Sequence, residues 1–206
     1  MLYDISSPLS ESIAVWPGDT SFRREVSRDH GSGDGYALSS IHATVHAGTH
    51  ADALRHMLAG APTIDEMALD YYIGPCQVIH VEATPATAIR PGDLPDATGA
   101  PRVLLATGTY PDETRFTEDF AALSVELADR LISQGVRLIG IDTPSVDLFH
   151  GDGMAVHHRL ATAGVATLEG LRLGHVPPGL YELIAPPLRI VGGDGSPVRA
   201  VLRTMP

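Results

Sequence analysis

The chain contains no lysine, no asparagine, one cysteine and one tryptophan, and positive charge is its scarcer sign. Each shortage excludes something. Without lysine, neither Schiff-base catalysis nor a Walker-A phosphate loop can operate. All 14 basic residues are arginine, and the formal net charge of -11 argues against nucleic acid and against anionic membrane surfaces as partners. Without asparagine there is no N-glycosylation acceptor. Cys76 alone allows no internal disulfide and no Cys-x-x-Cys zinc site. No apolar run approaches the ~18 residues of a membrane span. The first residues, MLYDISSPLSES, lack the basic and apolar stretches of a secretory signal. A reducing cytoplasm is the expected home.

What is present is an ordinary globular balance, 44% hydrophobic and 19% charged over 206 residues, enough for one domain over residues 1–206 with its own core. No internal repeat is visible. Turn-rich stretches at 29–35, 84–101 and 150–155 read as surface loops, because apolar segments resume after each. Short apolar, β-branched runs predict strands at 37–45, 76–82, 102–108, 137–143, 181–186, 188–193 and 196–203. LSVELADRLISQG (123–135) predicts a helix capped by Ser124 and stopped by Gly135. Residues 63–72 and 154–164 are two further helix candidates, the latter closed by Gly164. Seven strands and about three helices predict an α/β fold with a mixed, strand-rich sheet.

The chemistry concentrates in HAGTHADALRHM (46–57), where His46, His50, Asp52 and His56 read H-x-x-x-H-x-D-x-x-x-H. A helix would place 46 and 50 on one face, as in zinc proteases, but Gly48 lies between them and no Glu stands at 47. The cluster is therefore expected where a strand gives way to an irregular turn, with positions 46, 48, 50 and 52 pointing one way. Imidazole plus carboxylate is a ligand set for zinc and for manganese. Such a metal lowers the pKa of bound water from about 15.7 to about 7. Asp52 has two oxygens and can bridge two ions. His56 fits three roles: hydrogen bonder behind the ligands, ligand, or general acid/base. A second segment, HHRLATAGVATLEG (157–170), offers His157 or His158, with Glu169 downstream, as partners for the first. His42 is a candidate support behind the ligands, His80 a packing residue, His30 and His175 turn residues, and His150 a candidate near the substrate. Trp16, beside the Pro17-Gly18 turn, either stacks on a flat substrate or plugs the core.

These segments resemble the metal-dependent cyclase family, and within it the bacterial kynurenine formamidase (arylformamidase) branch. The likeness runs from YDISSPLSESIAVWPGDTSF through IHATVHAGTHADALRH, IGPCQVIHVE, GIDTPSVD and HHRLATAGVATLEGL to PPGLYELIAPPL and SPVRAVLR; the H-x-G-T-H-x-D element is its most specific part. The resemblance implies a swivelling β/β/α single domain, usually a homodimer, with two zinc ions. It implies that His46 and His50 bind one ion, that Asp52 and Glu169 bridge, and that His157 rather than His158 binds the other. By the same resemblance His56 is the proton donor/acceptor and Trp16 contacts substrate. The implied reaction is hydrolysis of N-formyl-L-kynurenine to L-kynurenine and formate in tryptophan degradation. Two departures bear on substrate choice, another amide or a lactone being the alternative. Leu54 stands where the family usually has proline, which would preset φ there; leucine is expected to loosen the turn or redirect His56. The loop 148–153 (LFHGDG) has no lysine where the family commonly carries one.

Overall fold

The apolar runs without helical spacing, VLLA at 103–106 and LIGI at 138–141, lie side by side as buried parallel strands, the position for which continuous apolar sequence is suited. In the computed structural model, which describes residues 1–151 and 153–205, the chain runs β1 (Leu2–Asp4), β2 (Arg23–Arg28), β3 (Leu38–His42), β4 (His50–Asp52), β5 (Ile73–His80), β6 (Ala88–Ile89), β7 (Arg102–Ala106) and β8 (Ala122–Leu123). It continues through α1 (Val125–Ser133), β9 (Leu138–Ile141), α2 (Ala155–Thr162), β10 (Ala166–Glu169), β11 (Gly179–Ile184), β12 (Gly195–Pro197) and β13 (Val201–Thr204).

Nine strands form one sheet in the order β1-β13-β11-β5-β7-β9-β10-β4-β12. Its centre, β5-β7-β9-β10, is parallel, and both flanks are antiparallel. Alternate residues serve the two faces. Val78, Leu104, Leu138 and Leu168 enter a core with Tyr72, Leu183 and Leu202. Ile79, Val103, Leu105, Ile139 and Ile141 face the helices, meeting Leu127 and Leu131 of α1 and Val156 and Leu160 of α2. β2 and β3 form a separate hairpin, every strand residue of which is exposed. The mixed α/β sheet expected from the sequence is thus present, with two α-helices among the described residues.

The Ser124 hydroxyl accepts the Leu127 N–H (3.2 Å), and Gly135 follows α1 at φ +77, as its sequence predicts. Two expectations are corrected. Residues 63–72 make one turn and a 3-10 turn at Leu69–Tyr71, not an α-helix. Thr63 ties itself to Asp65 and Glu66, Asp65 accepts the Gly192 N–H, and Ala68 is extended at ψ 135, so the turn cannot propagate. Residues 188–193 are loop, not strand: they follow Pro186-Pro187 and close a tight turn through Gly193 N–H to Ile190 O (3.0 Å). The run 196–203 is divided between β12 and β13.

Candidate metal centre

The segment 46–56 is not one extended stretch. His46 lies in a turn, Gly48 takes φ +62, and only His50–Asp52 form a strand; His56 closes a 3-10 turn at Leu54–His56. The expected common direction of positions 46 to 52 therefore holds only for His50 and Asp52, which alternation places on one face of β4. Register supplies the rest. β4 pairs with β10 so that His50 opposes Glu169 and Asp52 opposes Thr167, and directly opposed residues share a face. Ala51 and Leu168 turn into the core on the other side. α2 covers the polar face and adds His157, which is buried, while His158 is exposed.

The result is a compact group of donors. His50 Nε2 lies 3.4 Å from Asp52 Oδ1 and 3.4 Å from Glu169 Oε2. His157 Nε2 lies 3.6 Å from Asp52 Oδ2 and 3.1 Å from Glu169 Oε1. Each carboxylate thus divides its oxygens between the two imidazoles. His46 Nδ1 is 3.0 Å from Asp52 Oδ1. Two donor groupings, His46-Asp52-His56 and His50-Asp52-Glu169, share Asp52. His56 is near enough to count among the donors, its ring centroid 4.4 Å from that of His46 and 6.0 Å from that of His157. Leu54 occupies the first position of the 3-10 turn, where no N–H partner is needed, and its side chain packs on the core.

Outer contacts fix the rings. The His50 Nδ1–H donates to Gly48 O (3.0 Å), which turns Nε2 toward the carboxylates. The His157 Nδ1–H donates to Asp147 (2.7 Å), whose carboxylate also accepts the N–H groups of Val156 and His157 (both 2.9 Å) and so caps α2. Thr167 Oγ1 donates to Asp52 Oδ2 (2.8 Å) and Val146 N–H to Glu169 Oε1 (2.8 Å). Metal-binding histidines have this outer arrangement. Asp52 Oδ1 is fully buried yet makes no hydrogen bond of proper geometry, despite the nearby rings. A buried carboxylate oxygen without a donor, faced by ring nitrogens, fits a cation-binding role.

Burial opposes charge on His50, but the neighbouring carboxylates of Asp52 and Glu169 raise its pKa to about 10. Asp52 is likewise penalised by burial, yet the three imidazoles hold it well below the usual carboxylate range. His56 goes the other way: burial lowers its pKa, so it stays neutral at pH 7.

The centre opens into a cavity of about 520 Å³ lined by Trp16, Phe116, Tyr110, Arg172 and Met154 among others. Trp16 is 37% exposed, tilted 37° against Phe149 at 4.9 Å and edge-on to Phe116 at 5.5 Å, so it forms cavity wall rather than a core plug. Phe149 belongs to the loop singled out in the sequence; that loop's Asp152 lies outside the described residues. His150 pairs with Glu118 at 3.0 Å instead. His42 is exposed on β3, and His80 bonds Val176 O (2.8 Å); neither supports the donors. Asp194 and Asp147 were not anticipated. Asp194 Oδ2 is 3.0 Å from His46 Nε2 and 3.7 Å from His56 Nδ1.

A kynurenine formamidase of Geobacillus thermodenitrificans is 42% identical over 98% of this chain and 97% of its own. One of Bacillus cytotoxicus is 37% identical over the same shares. A solved structure described as a potential metal-dependent hydrolase with cyclase activity superposes with a TM-score of 0.85 at 30% identity, covering 98% of this chain and 96% of that one. The Cyclase family model matches residues 3–148, and the chain belongs to that family.

Proposed function

We propose that the protein is a metal-dependent kynurenine formamidase, hydrolysing N-formyl-L-kynurenine to L-kynurenine and formate in tryptophan degradation. The observation that carries this reading is the buried group in which Asp52 and Glu169 each divide their oxygens between His50 and His157, beneath a cavity walled by Trp16. The names of the curated relatives support the substrate. His46, His50, Asp52, His157 and Glu169 would hold two divalent ions, zinc by preference, with manganese accepted by the same donors. Bound there, such ions supply water that ionises near neutral pH and draw electron density from a carbonyl oxygen.

The chain's own groups do the rest. His56, neutral at pH 7, takes the proton released as water adds to the formyl carbon. It returns that proton to the aniline nitrogen as the C–N bond breaks. Trp16 stacks on the substrate ring. A homodimer in the cytoplasm completes the reading; the single cysteine, Cys76, is buried and needs no oxidising compartment.

The variant His56→Ala should keep its metal and lose turnover by about 10²–10⁴-fold. His50→Ala and Asp52→Ala should lose metal by elemental analysis and activity with it. Full activity in metal-free His50→Ala would overturn the reading. A kcat/KM on N-formyl-L-kynurenine far below about 10⁴ M⁻¹s⁻¹ would move the substrate to another amide or a lactone.

A further inference from the structure

Arg172 is the one guanidinium among the described residues that line the cavity, in a chain with no lysine. The other charged lining groups, imidazoles apart, are the carboxylates Asp19, Glu113, Asp142, Glu169 and Asp194. A ligand carrying a carboxylate would meet repulsion from all of these and attraction from Arg172. Asp142 is already committed, accepting the N–H groups of Thr107 and Gly108 and the Thr107 hydroxyl. Glu169 and Asp194 belong to the metal end.

Arg172 is built into position. Its backbone N–H donates to Ile5 O (2.9 Å). Its Nη1 and Nη2 donate to Tyr110 O (3.3 Å) and Pro111 O (2.7 Å), and Nη2 pairs with Glu113 Oε2 at 3.1 Å. The Nε–H and one Nη1–H have no partner among the described residues, and the two paired side chains remain 28% and 25% exposed. The same segment reaches the aromatic wall: Ala14 N–H donates to Glu113 O (2.8 Å), and Phe116 packs edge-on to Trp16. A fixed cation and a fixed anion side by side at the aromatic wall complement the α-carboxylate and α-ammonium of an amino acid attached to a flat ring.

We propose that Arg172 and Glu113 bind the amino-acid end of the substrate, Arg172 holding the carboxylate and Glu113 the ammonium. This rests on the formamidase reading and adds to it a residue that selects amino-acid substrates over plain aryl formamides. A hydrogen bond to a charged group is worth about 1.5–3 kcal/mol, which is about tenfold to hundredfold in selectivity.

The test compares two substrates. N-formyl-L-kynurenine carries the carboxylate; N-formylkynuramine keeps ring, ketone and amine but lacks it. In the metal-loaded wild type, kcat/KM should favour the first by about tenfold or more. In Arg172→Gln that ratio should fall to near one, and in Arg172→Lys it should be partly restored. Because Arg172 also ties down the 110–113 segment, a purely structural role would lower both activities and leave the ratio as in the wild type; that result overturns the assignment alone. A wild-type ratio near one does the same. Wild-type protein with metal bound that hydrolyses neither formamide overturns the formamidase reading, and this assignment with it.

Discussion

Protons and metal compete for the same atoms at this centre. In the metal-free protein the imidazole of His50, raised to about 10 by Asp52 and Glu169, is charged at pH 7. A histidine whose folded pKa lies above its unfolded value of about 6.5 contributes stability that is full below pH 6.5 and is lost as pH rises through its folded pKa. Asp52, held well below 3.8, contributes stability that is present above pH 3.8 and lost on further acidification. His50 and Asp52 together therefore favour the metal-free fold most between about pH 4 and pH 6.5, with His56, shifted the other way, opposing them below pH 6.5. A metal needs the neutral ring, so its binding at pH 7 should release protons, and apparent affinity should climb with pH. Calorimetric titration with zinc in two buffers of different ionisation enthalpy checks this. Equal heats in both would contradict it. At this scale the sequence was informative where candidate donors crowd together: His46, His50, Asp52 and His56 were legible from spacing, while His157 or His158, with Glu169, were offered as partners and only the family resemblance chose His157. Asp147 and Asp194 were not legible. Each acts from a turn without periodicity, Asp194 across 148 positions from His46, and one acidic residue in a loop looks like any solvated carboxylate.

At the scale of elements, the tightest constraint is where two glycine turns cross. Gly170, at φ +63, follows β10 directly, and a Cβ there would stand 2.3 Å from Gly48 O. Gly170 O also receives the hydroxyls of Ser7 (3.1 Å) and Thr49 (2.6 Å). Since the obstacle is backbone of the His46–His50 turn, it cannot yield as a side chain would. Gly170→Ala should cost about 2–4 kcal/mol and weaken metal binding. Gly135→Ala, with φ +77 but nothing within 4 Å, should cost only about 1 kcal/mol. Urea denaturation of the two variants separates steric from purely conformational cost; equal losses would refute the crossing as a constraint. The elements that sequence read correctly, α1 and the parallel strands, are those where local propensity and burial agree. It erred at 63–72, where Thr63 and Asp65 satisfied backbone locally, and at 188–193, where an apolar run beside two prolines became a turn. It also missed β4, because three residues give no pattern to read; their strand character comes from β10 and β12.

For the whole molecule, the β2–β3 hairpin is the least self-sufficient part. Two strands alone are marginally stable in water, and this pair leaves Val26, Tyr36, Leu38 and Ile41 about half exposed or more. The proposed homodimer would cover such an arm. Light scattering after gel filtration should give twice the chain mass of 21.8 kDa, and replacing Leu38 and Ile41 with glutamate should shift the mass toward the monomer. A monomeric wild type would refute the dimer without touching the metal centre, whose donors all come from one chain.

The strand carrying His50 and Asp52 sits between β10 and β12, with Gly195 opposite Asp52 and Pro197 opposite His50. Its neighbours reach it from more than a hundred positions downstream. During synthesis the first donors emerge from the ribosome early, but β4 has neither of its neighbours until residues 166–169 and then 195–197 have followed. Loading of the proposed metal is thus expected late in the life of each new chain, once β10 and β12 enclose β4.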